Sequence, residues 1–217
     1  MPPSARTPLS RDRILRAAID LADRDGLEGC TMRRIAGELG VEAMSLYRHV
    51  KSKDDLLSGL VDLVFGEIEL GEPGTRDWQA AMRDRARSQL TALRRHRWAI
   101  GLMEGRMRPG PESLRVHDTT LGILREAGFA FRAAVRANSV LDAYVYGFAL
   151  QERDLPARAD GATAEVMREQ IRPVPRADAY PYLLEAMGEF AAAGYDYDAE
   201  FSAGLELILA GIARSRR

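Results

Sequence analysis

Apolar residues recur along most of this chain at the three- and four-residue spacing that is typical of amphipathic α-helices. The first segment of this kind, residues 11–25, follows Ser10, which suits a helix N-cap, and stops at Gly26, which suits a helix end. Segments with the same spacing follow to the end of the chain. The pattern therefore predicts an all-α protein.

Two short helices with a tight turn between them are predicted within residues 31–53. Residues 33–39 form the first helix and residues 43–50 the second, with Gly40 at the corner. A glycine in the turn between two short helices is typical of a helix-turn-helix. Because the second helix is too short to be stable alone, it must pack on its neighbours and can present one exposed face.

The exposed face of the second short helix carries an unusual set of side chains. Leu46 and Val50 lie four residues apart and share the buried face. The residues left for the outside or the rim are Ala43, Met44, Ser45, Tyr47, Arg48 and His49. Hydroxyl and guanidinium groups bind phosphates or base edges, and small apolar groups contact the thymine methyl, so this face is predicted to read DNA. Structural roles are the plainer alternative, since His49 can cap its helix and Tyr47 can stack on its neighbours.

The next predicted helix, residues 54–70, is apolar on more than one side, which is typical of a helix buried between two partners. Glycine and proline within residues 71–74 then break the pattern. We therefore predict a helix-turn-helix domain at 1–53, a linking helix at 54–70 and a larger helical domain at 71–217.

The larger domain shows further helical segments separated by breaks. They span residues 77–95, 98–105, 112–127, 131–151, 180–193 and 198–214. Residues 154–175 are predicted to be mostly loop, with one helical piece at 164–171. Arg83, Arg85 and Arg87 are predicted to form a solvated or partner-facing edge of the 77–95 helix.

Composition and charge add little to this pattern. The 217 residues are 46% hydrophobic with a net charge of −1, as in an ordinary globular protein. Residues 1–53 carry 10 Lys and Arg against 7 Asp and Glu, a mild positive excess that fits DNA. One cysteine, Cys30, rules out an intrachain disulfide and suits a reducing compartment. With no apolar run near the roughly 18 residues of a membrane span and no signal peptide, we expect a cytoplasmic protein without membrane partners.

Catalytic and metal-binding motifs are not evident in the sequence. The three histidines, His49, His96 and His117, show no metal-ligand spacing, and no nucleophile elbow or phosphate-binding glycine loop occurs. The sequence therefore predicts no enzyme activity, no cofactor and no metal site.

Residues 31–57 follow the pattern T-x-R-x-[IL]-A-x-x-L-G-V-x-x-x-x-L-Y-x-H-V-x-x-K-x-x-L-L. This pattern resembles the N-terminal DNA-binding domain of the TetR family of bacterial repressors. Its residues between Gly40 and Lys53 are similar to those of the tetracycline-repressor branch. The resemblance implies that Thr31 and Lys53 hold phosphates, that Arg33 reaches a base, and that residues 43–49 form the recognition helix. Ala43-Met44 and Arg48 replace the Gln-Pro and Trp of that branch, so we expect a different operator.

The resemblance continues in the larger domain through Trp78-Gln79, Arg108-Pro109, Ala127-Gly128-Phe129 and residues 139–150. It implies a homodimer formed by the helices at 131–151 and 198–214, which holds two recognition helices on a palindromic operator of double-stranded DNA. The positions that bind a magnesium–drug chelate in that branch match Glu104, Ala143 and Gln151. Because these residues no longer form a metal site, we predict neither magnesium nor tetracycline binding.

A helix-lined cavity in the larger domain is predicted to hold a small-molecule effector of unknown identity. Such cavities are mostly apolar with a few polar anchors. The candidate lining residues are Trp78, Met82, Met103, Met107, Tyr144 and Phe148. The alternative is that these residues are ordinary core, since aromatic residues at helical spacing are most often buried in the core.

These features together predict a DNA-binding transcriptional repressor that a small molecule releases from its operator. The alternative is an architectural or constitutive DNA-binding protein without an effector. A single short palindrome in a footprint distinguishes the repressor from an architectural protein, which shows no sequence preference.

Overall fold

All regular structure in the described part of the chain is helical. The computed structural model describes residues 8–71, 77–103, 108–154, 179–193 and 196–216. Within these ranges the helices are α1 (Arg11–Gly29), α2 (Met32–Leu39), α3 (Ala43–Leu46), α4 (Lys53–Gly66), α5 (Trp78–Arg95), α6 (Ile100–Met103), α7 (Pro111–Glu126), α8 (Phe131–Asp154), α9 (Pro181–Ala193) and α10 (Tyr197–Arg214). A 3₁₀ turn at Arg97–Ala99 precedes α6. The all-α prediction is confirmed.

Local sequence sets most of the helix ends. Side-chain oxygens of the N-cap residues accept hydrogen bonds from backbone N–H groups in the first turn of α1, α2, α4, α5 and α10, where the caps are Ser10, Thr31, Ser52, Asp77 and Asp196. Gly26 has φ 73° and kinks α1, and Gly40 has φ 65° and ends α2. Both glycines have a positive φ that other residues avoid. Gly26 therefore interrupts the helix where a stop was predicted, although α1 resumes and ends at Gly29, and Gly40 forms the predicted corner after α2.

Two helices are shorter than predicted. The second helix of the helix-turn-helix ends at Leu46 rather than at Val50, and residues 47–49 continue as turns. The linking helix ends at Gly66 rather than at Leu70, where the backbone N–H of Glu69 instead donates to Ser88 Oγ at 2.8 Å. The predicted loop at 155–175, with its helical piece at 164–171, lies outside the described residues, as does Gly105 at the predicted end of the 98–105 helix.

A small hydrophobic core joins α1, α2, α3 and the first half of α4. It contains Ile14, Leu15, Ala18, Leu21, Ala22, Cys30, Ile35, Ala36, Leu46, Val50, Leu56 and Leu60. Helices α1 and α4 cross closely at Gly59, where an added Cβ would come within 2.7 Å of Leu15 Cδ2. The crossing fixes the start of α4 against the helix-turn-helix.

The second half of α4 packs on the larger domain. Val61, Phe65 and Ile68 share a cluster with Val116 of α7. Val64 packs with Ala92 and Ala99. One helix therefore contributes to the cores on both sides, as its two-sided apolar pattern predicts.

The largest core lies between α5, α7, α8 and α10. The rings of Trp78 and Phe129 meet edge to face with centroids 4.9 Å apart, and Tyr144 stacks on Phe201 at 5.3 Å. Arg85 corrects the sequence prediction, because its side chain is only 1% exposed and pairs with Asp142 at 2.6 Å instead of lying on a solvated edge. In the described ranges, no helix combines the length and apolarity that crossing a membrane requires.

Candidate DNA-binding surface and effector cavity

The helix-turn-helix is closed by backbone hydrogen bonds around Gly40. The backbone N–H of Val41 donates to Ala36 O at 3.0 Å, which turns the chain out of α2. Burial of Leu46 and Val50, both fully inaccessible, then fixes α3 on the small core. The remaining side chains of residues 43–49 are directed to the rim or the outside.

Six of the nine predicted DNA-binding residues are exposed. They are Thr31, Arg33, Met44, Tyr47, Arg48 and Lys53. Ala43, Ser45 and His49 are half-buried, and Ser45 Oγ donates to Glu42 O at 2.6 Å within the turn. Met44 is 73% exposed and Tyr47 45% exposed, so both side chains are accessible to a partner.

The cations of this surface fall into two groups. Arg33, Arg48, Lys51 and Lys53 make no ion pair with any side chain in the described ranges. Arg34, by contrast, pairs with Asp25, while Arg24 pairs with Glu38 at 2.6 Å. The first group is therefore free to meet phosphates, and the second holds α1 against α2.

Arg11 makes contacts with Asp55 and His49 that the sequence pattern did not predict. Its Nη2 and Nη1 donate to the carboxylate of Asp55 at 2.7 and 3.0 Å, and Nη1 also donates to His49 O at 3.1 Å. The backbone N–H of Lys51 donates to the same carboxylate at 2.8 Å. The Arg11 guanidinium holds the pKa of the Asp55 carboxyl below its usual value. This bridge connects the end of residues 43–49, called the recognition segment below, to the start of α4.

A cavity lies on the other side of α4, between this helix, α7 and α8. Its volume is about 150 Å³, and its lining includes Val61, Asp62, Phe65, Met103, Arg108, Pro109, Gly110, Ser113, His117, Asp142 and Tyr146. Asp62 Oδ1 accepts a hydrogen bond from the Ser113 backbone N–H at 2.9 Å, which joins α4 to the first turn of α7. The walls combine aromatic surface with a few charged groups, as small-molecule sites do.

The predicted ligand-binding residues fall into two groups in the structure, one at the cavity and one in the large core. Met103 lines the cavity. Trp78 and Met82 are buried in the large core, and Tyr144 and Phe148 pack against Phe201 of α10. Met107 lies outside the described residues. In the described parts of the chain, no group of three or more His, Cys, Asp or Glu side chains is arranged so that it could hold a metal ion.

Comparison with known proteins identifies the family and the fold. The family model for the tetracyclin repressor-like C-terminal domain matches residues 70–216, and the model for bacterial regulatory proteins of the tetR family matches residues 14–60. The chain belongs to the TetR family. It is therefore a helix-turn-helix transcriptional regulator of a family whose members bind DNA operators and small-molecule effectors as dimers.

Curated relatives in the TetR family match along most of their length. The chain is 34% identical to an HTH-type transcriptional regulator of Saccharopolyspora erythraea over 209 residues, 94% of this chain and 85% of the relative. It is 34% identical to the HTH-type transcriptional repressor DrrR1 of Streptomyces coeruleorubidus over 214 residues, 94% and 77% of the two chains. It is 32% identical to the class A tetracycline repressor from transposon 1721 of Escherichia coli over 214 residues, 97% and 93% of the two chains.

Solved structures of TetR-family proteins share the fold. The structure of Streptomyces coelicolor ActR in complex with actinorhodin superposes with a TM-score of 0.83 at 30% identity, covering 97% of this chain and 98% of ActR. ActR in complex with (S)-DNPA superposes with a TM-score of 0.80 at 29% identity, covering 97% and 100% of the chains. The similarity thus extends over both domains.

In this TetR-family chain, the faces of α8 and α10 leave apolar side chains in solvent. The exposed residues are Phe131, Val135, Val140 and Leu150 on α8 and Leu207 on α10. Leu207 is 76% exposed although it lies in the middle of its helix. Apolar surface of this extent is typical of a protein–protein contact.

Proposed function

We propose that this chain is a repressor that binds a palindromic operator as a homodimer and leaves it when a small organic molecule enters the cavity beside α4. The observation that carries the proposal is the position of α4. Its first half packs with the helix-turn-helix core, and its second half lines the cavity through Val61 and Phe65. A ligand that contacts these two residues acts directly on the helix that positions the recognition segment.

The DNA-binding half of the proposal rests on the exposed surface of residues 31–53. The hydroxyl of Tyr47 and the free cations Lys51 and Lys53 would bind phosphates, while Met44 and Arg48 would contact bases. A palindrome follows from the dimer, since each protomer presents the same surface. The exposed apolar residues of α8 and α10 support pairing of these helices with their copies.

The release step is a shift between two conformations. An effector can weaken operator binding only to the extent that it binds the released conformation more tightly than the DNA-bound one. Because α4 touches both the cavity and the small core, movement of its second half would change the separation of the two recognition segments. The solved complexes of ActR with actinorhodin and (S)-DNPA support an organic effector for this chain.

Selection of bound DNA from a random pool, followed by footprinting, tests the function. We expect one short palindrome, bound by the wild-type dimer and bound more weakly by Tyr47→Ala and Lys53→Ala, with the dimer intact in both variants. If both variants bind the selected DNA like wild type, the assigned surface is wrong. Binding without sequence preference would instead favour an architectural protein.

A further inference from the structure

Helix α7 begins without a side-chain cap of its own. Its N-cap is Gly110, which has no side chain, and Pro111 follows at the first helical position. The backbone N–H groups in the first turn of a helix have no partner within that helix, so they need an acceptor from elsewhere. Asp62 of α4 supplies one, because its Oδ1 accepts a hydrogen bond from the backbone N–H of Ser113 at 2.9 Å. The linking helix therefore caps the first turn of α7.

The capping contact, formed by Asp62, Gly110 and Ser113, is close as well as directional. An added Cβ at Gly110 would overlap the carboxylate of Asp62, so the missing side chain is what lets the carboxylate reach the helix end. A negative charge at this end is favoured by the helix dipole, and a backbone N–H binds a carboxylate more strongly than a neutral acceptor. One turn further along α4, Gly66 passes Glu112, with an added Cβ 3.4 Å from Glu112 Cγ. Successive turns of α4 thus lie against the first turn of α7.

Apolar packing alone would define the position of α4 on α7 less sharply. Val61, Phe65 and Ile68 of α4 pack with Val116 of α7, and contacts of this kind have no preferred direction. A hydrogen bond weakens steeply when its length or angle changes. The capping contact therefore fixes how far along α7 the linking helix lies and how it is rotated.

The capping contact lies close to the DNA-binding domain. Gly59, three residues before Asp62, packs against Leu15 of α1, and Leu60 belongs to the small core. Less than one helical turn, about 4.5 Å of helix axis, separates Gly59 from Asp62. Because a helix is rigid over so short a distance, the capping contact sets the orientation of the helix-turn-helix on the effector domain.

We propose that Asp62 is a positioning residue that sets the spacing of the two operator half-sites. This inference rests on the proposed function, since it concerns the palindrome that the same dimer binds. In a homodimer, the separation and rotation of the two recognition segments follow from the orientation of each helix-turn-helix on its effector domain. One base pair added at the centre of the palindrome moves a half-site by about 3.4 Å and turns it by about 35°. A dimer with the capping contact rejects this change, and a dimer without it tolerates the change.

Binding to two DNA duplexes tests the role of Asp62 in the full-length protein. One duplex carries the palindrome that wild type selects, and the other carries the same half-sites with one base pair inserted at the centre. Wild type is expected to bind the first at least about a hundredfold more tightly, because a misplaced half-site loses contacts to several base pairs. Asp62→Ala is expected to reduce this preference at least about tenfold, the factor that one hydrogen bond to a carboxylate supplies. A purely structural contact would lower the melting temperature of the variant and leave the preference unchanged, and that result overturns the proposal.

Gly110→Ala breaks the capping contact from the other side. The new Cβ displaces the Asp62 carboxylate, while the backbone of Gly110, with φ −90°, suits alanine. The same loss of spacing preference is expected although Asp62 is unchanged. The double variant Asp62→Ala with Gly110→Ala is expected to lose no more than either single variant, since the new methyl group occupies the space that the carboxylate leaves. Additive losses would show that the two residues act separately and would overturn the proposal.

Two further variants serve as controls. Asp62→Asn keeps an oxygen that can accept from the Ser113 N–H, so it is expected to retain most of the spacing preference. Gly122→Ala, in the middle of α7, has no heavy atom within 4 Å of its new Cβ and is expected to keep the preference fully. Should Asp62→Ala fail to fold, Gly110→Ala and Asp62→Asn still decide the proposal, and an equal preference in these two variants overturns it.

The wild-type measurements separate this inference from the proposed function. If wild type selects no palindrome, the proposed function and this inference both fail. If wild type selects a palindrome but binds both duplexes equally, the inference alone fails. The inference also fails alone if Asp62→Ala and Gly110→Ala both keep the wild-type preference.

Discussion

Asp23 of α1 and His96 at the end of α5 are joined by a contact of 2.8 Å between Asp23 Oδ1 and His96 Nδ1. The other ring nitrogen, Nε2, lies 3.0 Å from Oε1 of Glu67, just after α4. The ring is only 3% exposed, and the indole Nε1–H of Trp98 donates to the same oxygen of Asp23 at 2.6 Å. One buried imidazole therefore connects the DNA-binding domain, the linking helix and the effector domain.

Replacing His96 by Ala is expected to lower the free energy of unfolding by about 1–3 kcal/mol, because two carboxylates lose a buried partner. The same change is expected to reduce the effect of a cavity ligand on operator affinity, since the domains are then held less firmly together. Urea denaturation and operator titrations with and without ligand measure the two effects. Trp98→Phe, which leaves the histidine contacts in place, is the control and is expected to preserve the ligand response. Equal stability and an equal ligand response in His96→Ala would contradict this interpretation.

The Arg11–Asp55 bridge predicts a loss of stability in acid. The bridge lowers the pKa of Asp55 in the folded protein, so its contribution is complete above the unfolded value of about 3.9 and is lost as the pH falls from there through the lowered folded pKa. Asp55→Asn should cost about 0.5–1 kcal/mol at pH 7, the size of a partly exposed pair. The difference in unfolding free energy between wild type and variant should stay constant from pH 7 to about pH 4 and should shrink as the pH falls further. A difference that stays constant with pH would show that the charge is not responsible.

The Arg85–Asp142 pair predicts strongly non-additive mutations. Arg85→Met alone leaves a largely buried carboxylate without its cation and is expected to cost about 3–5 kcal/mol. The double change Arg85→Met with Asp142→Leu removes both charges and is expected to be close to wild type in stability. Chemical denaturation of the two single variants and the double variant gives the coupling energy. Additive losses would mean that the two side chains do not interact in solution.

Lys53 and Met44 are expected to affect DNA binding in different ways. Lys53→Ala should weaken binding to all sequences and reduce the slope of log K against log salt concentration by about 1, since one phosphate contact is lost. Met44→Ala should leave that slope unchanged and alter the preferred bases. Fluorescence anisotropy over a salt series measures the first effect, and repeated selection from random DNA measures the second. A lower salt slope in Met44→Ala would place Met44 near the backbone instead.

Gly40→Ala isolates the conformational cost of the helix-turn-helix corner. No heavy atom lies within 4 Å of an added Cβ, so the expected loss of about 1–2 kcal/mol comes from the positive φ alone. Gly37→Ala on the same helix also has open space around the new Cβ and normal helical geometry, so it should stabilise the fold by up to about 1 kcal/mol. Opposite signs in thermal denaturation are the expected result. A Gly40→Ala variant as stable as wild type would mean that the turn relaxes.

The sequence predicts the features that depend on neighbouring residues. The cap Ser10 and the corner glycine Gly40 lie next to the helix ends that they set, so both can be predicted from the sequence directly. The ends of α3 and α4 could not be predicted from the sequence, because they involve distant residues. Arg11 donates to the His49 carbonyl across 38 residues, and Ser88 accepts from the Glu69 backbone N–H across 19. Pairing with a residue far along the chain overrides the helical pattern at both places.

The cavity and the Arg85–Asp142 ion pair show the same limit of sequence-based prediction. Periodicity places Trp78 and Met103 equally well on an inner face, yet only Met103 lines the cavity, because a wall and a packed core carry the same residue types. A row of arginines favours a solvated edge, and only the fold brings Asp142, 57 residues away, against Arg85. The burial of the charged Arg85 side chain is therefore the feature that could least be predicted from the sequence.

Within residues 43–50, different residues stabilise the fold and face the solvent, and this has a consequence for how the DNA specificity of this regulator evolves. Leu46 and Val50 are fully buried and hold the segment in place, whereas Met44, Tyr47 and Arg48 stand in solvent. Replacements at the three exposed positions touch no core contact, so most of them are close to neutral for folding. The segment can acquire new operators by mutation without losing stability, which separates the evolution of target choice from the evolution of the fold.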